Sequence, residues 1–132
     1  MTIAIRHIRI LDGLGHRIER GTLLIEGTRI QAVGPEQDVR LPKGAQRIDG
    51  LGLTVLPGLI DCHVHFCLGA EADVVAAVEG EPSSLTLLKA AELARRTLHA
   101  GFTTVRDVGF RDHAVFALKQ AIESALTPGP RI

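Results

Sequence analysis

The sequence predicts an α/β chain built in two parts, and three observations carry that prediction. Residues 1–57 are a series of short apolar or alternating runs separated by turn dipeptides, the pattern of β-structure. From Gly58 onward, apolar strand-like runs alternate with longer helical patterns, which is how parallel β/α units read. One of these strands ends in Asp61-Cys62-His63-Val64-His65, where a His-X-His pair closes an apolar run.

In the first part, strands are expected at 3–5, 8–10, 22–25, 29–33, 47–48 and 53–56. Ile3 and Ile5 alternate in one phase and Ile8 and Ile10 in the other, so a bulge or bend is expected at Arg6-His7. Glu26-Gly27-Thr28 joins two strand patterns as a hairpin, and Gly34-Pro35 is expected to end the second of them. Asp12-Gly13 and Asp49-Gly50 are further turns.

The run 53–60 is apolar on both faces, as befits a strand buried in a parallel sheet or barrel. Pro57-Gly58 divides it, so a new strand begins near Gly58 and leads to the histidines. Strand alternation places His63 and His65 on one face with Asp61 beside them, and Cys62, Val64 and Phe66 on the other. Two neutral imidazoles side by side are half of a transition-metal site; the alternative is that they cap a buried strand and hydrogen-bond to neighbours. Cys62 reads as a packed small hydrophobe. Cys67 lies five residues further on, too far along an extended strand for a disulfide with Cys62.

Beyond the pair, residues 69–79 read as a short amphipathic helix, either lining a pocket or simply connecting. Ser83 or Ser84 can cap a helix running to Ala100, with Leu87, Ala91, Ala94 and Leu98 as its buried stripe. Gly101 then supplies a left-handed residue, and Glu92 with Arg96 supports the exposed side. The next strand ends at Asp107, on the face of the histidines. Its carboxylate can hold a ligand histidine in the correct tautomer, receive a substrate group, or pair with Arg106. Asp112 is expected to cap a second helix with Val115, Leu118, Ile122 and Leu126 facing the sheet, stopped by Pro128-Gly129. Pro130-Arg131-Ile132 reads as the opening of a third strand.

Composition removes several classes of function. Fifteen basic residues balance fifteen acidic ones, so no net field draws the chain to nucleic acid or an anionic membrane. No apolar run approaches the length of a membrane span, and the first residues lack the pattern of a signal peptide. A cytoplasmic location is the expectation.

The stretch Val55-Leu56-Pro57-Gly58-Leu59-Ile60-Asp61-Cys62-His63-Val64-His65 resembles the signature of the metal-dependent amidohydrolase superfamily, in which it forms the first strand of a (β/α)8 barrel. A second stretch, Ala100-Gly101-Phe102-Thr103-Thr104-Val105-Arg106-Asp107-Val108-Gly109, is similar to that family's second barrel strand. Residues 90–109 together most resemble the branch of Xaa-Pro dipeptidases, related carboxypeptidases and imidazolonepropionase-like proteins. The resemblance implies that residues 1–57 are the N-terminal part of a composite β-sandwich and residues 58–132 the first β/α units of a barrel. Such a barrel takes about 250 residues, so a chain of 132 residues holds an incomplete one.

For chemistry, the resemblance implies that His63 and His65 are metal ligands and that one or two divalent ions, foremost zinc, are bound; Asp61 and Asp107, by their positions, are the candidates to support the two histidines. In the family, later strands add a bridging carboxylated lysine, two histidines and a proton-shuttling aspartate. Lys43, Lys89 and Lys119 fall in a loop and two helices, so none suits the bridging position. The implied activity is hydrolysis of amide or peptide C–N bonds in small molecules such as dipeptides or N-acyl amino acids. Imidazolonepropionase-like cyclic amide hydrolysis and deamination are alternatives within the family, and a non-catalytic interaction subunit is the alternative outside it. The expected partner is the remainder of the enzyme or a second copy of the chain.

Overall fold

The computed structural model describes residues 1–69, 72–73, 76, 79–109 and 111–132. Its contacts divide into two compact units, Met1–Pro57 and Gly58–Ile132.

In the first unit, β1 (Thr2–Leu11), β2 (Arg17–Glu26) and β3 (Arg29–Pro35) form an antiparallel meander in the order β3-β2-β1. On the other side of β1, β4 (Gln46–Asp49) and β5 (Thr54–Val55) pair with it in parallel. Gly27 takes the left-handed backbone, φ 58°, that the tight β2–β3 turn requires. β1 is one continuous strand whose register slips between Ile5 and Ile8, with His7 left-handed at φ 60°. This is the bend that the change of phase predicts. The slip brings Ile8 and Ile10 to the face of Ile5, where they pack with Leu23, Ile18 and Ile25; Ala4 instead packs with Leu24 and Val39. β3 continues through Gly34 and Pro35 rather than stopping before them. It is the edge of the sheet, where a residue without an N–H is tolerated.

The second unit opens with β6 (Leu59–Val64), which crosses over through α1 (Ser83–His99) to the parallel neighbour β7 (Phe102–Asp107). Arg131 bridges Thr104 in parallel, its N–H donating to the Thr103 carbonyl at 2.9 Å, so a third strand does begin where the sequence suggests. The core consists of Phe66, Ala90, Ala94, Val105 and Leu118, joining the end of β6, α1, β7 and α2 (Ala114–Glu123). Small residues on α1 let it lie close to the sheet: Ala90 and Ala94 are fully buried.

Several helix details depart from expectation. The buried line of α1 is Thr86, Ala90 and Ala94, one position away from Leu87 and Ala91, which only flank it. Thr86 can be buried because its hydroxyl donates to Glu81 Oε1 at 3.0 Å. Pro82, not a serine, occupies the N-cap, and no side chain caps the helix; Ser83 is its first residue and donates its hydroxyl to Asp112. Glu92 pairs with Arg95 through two bonds of 2.8 Å, not with Arg96, because the three-residue spacing lets the planar guanidinium meet both oxygens. Asp112 is left-handed at φ 54° within a 3-10 turn, Arg111–His113, and that backbone places it before the cap position. His113 is the N-cap of α2. Leu118 is buried and Ile122 packs on the core, but Leu126 is 82 % exposed, since α2 ends at Glu123 and a left-handed Ala125 (φ 57°) turns the chain away. The amphipathic helix expected at 69–79 lies largely outside the described residues. No described helix is long and apolar enough to cross a membrane.

Candidate metal centre

The site grows from the C-terminal end of β6. Gly101, at φ 97°, turns the end of α1 into β7, and β7 then runs beside β6 in parallel, so both strands finish on the same edge. In barrels and open α/β sheets that edge is where chemistry is done. His63 is the penultimate residue of β6 and His65 follows it. Their rings lie side by side with centroids 5.2 Å apart and planes at 67°, as the spacing predicts for neighbours on one face.

Each of the other predicted residues has a specific bond. Asp61 accepts the backbone N–H of His63 on Oδ1 at 3.0 Å, so its carboxylate serves the main chain of the first histidine. The register slips again between Asp61 and Val64, and an odd slip exchanges faces. Asp61 accordingly lines a hollow with Val64, Leu93, Thr97 and Phe102. Asp107 binds neither imidazole and does not pair with Arg106. Its Oδ2 accepts the N–H of Phe66 and its Oδ1 the N–H of Gly109, both at 3.0 Å. Arg106 donates from Nε to the Cys62 carbonyl at 2.8 Å, tying the two strands at the same level.

Strand alternation predicts a packed Cys62, and the side chain is exposed instead. The described helices cover Val64 and Phe66 further along, while Ile60, 66 % exposed, and Cys62 have none over them. Cys62 and Cys67 are not joined in a disulfide.

The residue that sequence reasoning missed is Gly109. Its carbonyl accepts Nδ1–H of His65 at 3.1 Å, and the Cys67 thiol donates to the same oxygen at 3.4 Å. A ring bonded in this way keeps Nε2 as a lone-pair donor, the form in which imidazole binds a metal. The donor set therefore fits a divalent transition ion, as two of its ligands: among the described residues, no group of three or more His, Cys, Asp or Glu side chains converges as a metal site.

A strand followed by a helical crossover to a parallel neighbour is the β/α unit with which a barrel opens. The chain belongs to the amidohydrolase family, whose model matches residues 54–132, and that family generally binds divalent metals. An imidazolonepropionase of Alkaliphilus metalliredigens is 39 % identical over 72 residues, which are 51 % of this chain and 17 % of that protein. Among solved structures, a prolidase complexed with N-methylphosphonate-L-proline is 36 % identical with a TM-score of 0.79, over all of this chain and 31 % of that one. A Xaa-Pro dipeptidase with bound methionine in its active site is 30 % identical with a TM-score of 0.83, over all of this chain and 32 % of that one. The chain thus spans less than a third of the length of each of these proteins. Its fold is the start of an amidohydrolase barrel preceded by a five-stranded sheet.

Proposed function

We propose that this chain is the N-terminal portion of a metal-dependent hydrolase that cleaves amide or peptide C–N bonds in small substrates. Residues 1–57 would contribute to the β-sandwich and residues 58–132 would open the barrel. The observation that carries the reading is the pair of imidazoles at the end of β6, one of them with its Nδ1 already committed to a backbone carbonyl. His63 and His65 would hold one or two divalent ions, zinc foremost, together with ligands from elsewhere in the enzyme. When bound, such an ion lowers the pKa of a coordinated water to about 7 and polarises the substrate carbonyl. Asp61 would keep the main chain of His63 in place, and Asp107 would hold together the two loops around His65. A carboxylate outside the described residues would carry the proton to the leaving amine.

Dipeptides and N-acyl amino acids are the favoured substrates, on the strength of the prolidase and Xaa-Pro dipeptidase likenesses. The imidazolonepropionase relative favours a second reading, opening of a cyclic amide. Both use the same metal-activated attack and differ in the pocket. Purified enzyme assayed against a Xaa-Pro dipeptide panel, N-acyl amino acids and imidazolonepropionate separates them. His65→Ala is expected to lower bound metal and abolish turnover, because it deletes a direct ligand, while Cys62→Ala stays within a few-fold of wild type. Full metal content and activity in His65→Ala would sink the assignment.

A further inference from the structure

We infer that Gly109, anchored by Asp107, is the positioning residue that sets the tautomer and aim of the His65 imidazole. The inference takes its purpose from the metal-binding reading above and its substance from the hydrogen bonds themselves.

His65 lies just beyond the last residue of β6, where the ladder no longer fixes the backbone, so its ring must be held from outside. The hold is the Gly109 carbonyl, 3.1 Å from Nδ1. A carbonyl can only accept, which puts the proton on Nδ1 and leaves the lone pair on Nε2. Gly109 is itself two residues past the end of β7, and needs an anchor in turn. One carboxylate supplies it: Asp107 takes the Gly109 N–H on one oxygen and the N–H of Phe66, the neighbour of His65, on the other, both at 3.0 Å. The loop bearing the imidazole and the loop bearing its acceptor are thereby fastened to a single group. Val108 N–H donating to the Val64 carbonyl at 3.0 Å adds a main-chain tie between the same loops.

Position 109 is tight for any residue larger than glycine. A Cβ there would stand 3.2 Å from Nδ1 and 3.3 Å from Cε1 of His65, closer than ordinary van der Waals contact, so the ring or the loop would have to yield. The carbonyl oxygen has two lone pairs, so the Cys67 thiol at 3.4 Å shares it without displacing the imidazole.

The test is long-range 15N–1H NMR of histidine-labelled protein, metal-free, at about pH 8, where imidazoles are neutral, with the His65 signal assigned by its loss in His65→Gln. Zinc affinity is measured in parallel by competition with a chelating dye. The expected result is a single Nδ1–H tautomer for His65 in wild type and a tautomer mixture in Asp107→Ala and Gly109→Ala. Zinc should bind about 10–100-fold more weakly to both variants. An Nε2–H tautomer in wild type, or variants that keep both the tautomer and zinc affinity within two-fold, would overturn the inference; the wild-type spectrum decides even if a variant does not fold. Should the tautomer behave as stated while wild type takes up no zinc, the metal reading falls and the positioning of the ring stands.

Discussion

His7 stands between two carboxylates, with Nδ1 2.8 Å from Asp49 and Nε2 3.1 Å from Glu36. This contact holds a left-handed residue at the bend of β1. The His7 hydrogen bond, followed by the Leu51 N–H, pulls the Asp49 carboxyl below its ordinary 3.8. For Glu36 the Arg20 guanidinium is the main cause of a shift in the same direction. A depressed carboxyl favours the fold when ionised, so its contribution is present above its unfolded pKa and fades as pH falls through the folded value. Asp49→Asn is therefore expected to lower Tm near neutrality and to differ less and less from wild type between about pH 5 and about pH 3. The effect should be small because the side chain is 66 % exposed and screened by solvent. Thermal melts across that range check it, and a gap that does not narrow would count against the contact. At this scale the side-by-side placing of His63 and His65 was legible because strand alternation is local. The role of Gly109 was not, since a carbonyl's aim depends on which loop the β6–β7 pairing brings alongside.

The elements repeat that division between local and non-local signals. The bend in β1, the Gly27 hairpin and the Gly101 turn could be read from phase changes and turn residues alone. The exact buried line of α1 could not, because its choice of Thr86 over Leu87 rests on Glu81 being there to satisfy the hydroxyl. Asp112 failed as a cap for a similar reason: its backbone is left-handed and its carboxylate is taken by Ser83. At the entrance to β6, Gly58 packs so tightly that an added Cβ would fall 2.1 Å from Thr103 Oγ1 and 2.3 Å from its Cγ2. Gly58→Ala should force the start of β6 off β7 and cost about 1–3 kcal/mol. Urea denaturation of the variant measures this; an unchanged midpoint would mean that Thr103 turns aside freely.

For the molecule as a whole, β6 is paired on one side only among the described residues, and Leu59, Ile60 and Val108 leave apolar surface exposed. Open edges of this kind attract further strands. Purified 132-residue chain is therefore expected to scatter light as more than a monomer at low micromolar concentration and to lack hydrolase activity with added zinc, since two imidazoles are too few for a closed site. A monodisperse, stably folded monomer, or dipeptide turnover abolished by a chelator, would contradict this. The sequence announced the barrel through two strand motifs. What it could not convey is which faces need covering, because exposure belongs to the assembled layers and not to any one run of residues.

The connections of the two units also set different clocks. β2 and β3 meet across a two-residue turn at Gly27, a closure of microseconds, whereas β6 must wait for α1 to form and carry the chain back before β7 can pair with it. Parallel pairing at such separation is slow because loop entropy is lost before any contact is gained. Pulse-labelled hydrogen exchange during refolding should thus find amides of the β2–β3 hairpin protected first. The strand that carries His63 should be among the last to be protected, so its imidazoles come together only after the fold around them has formed.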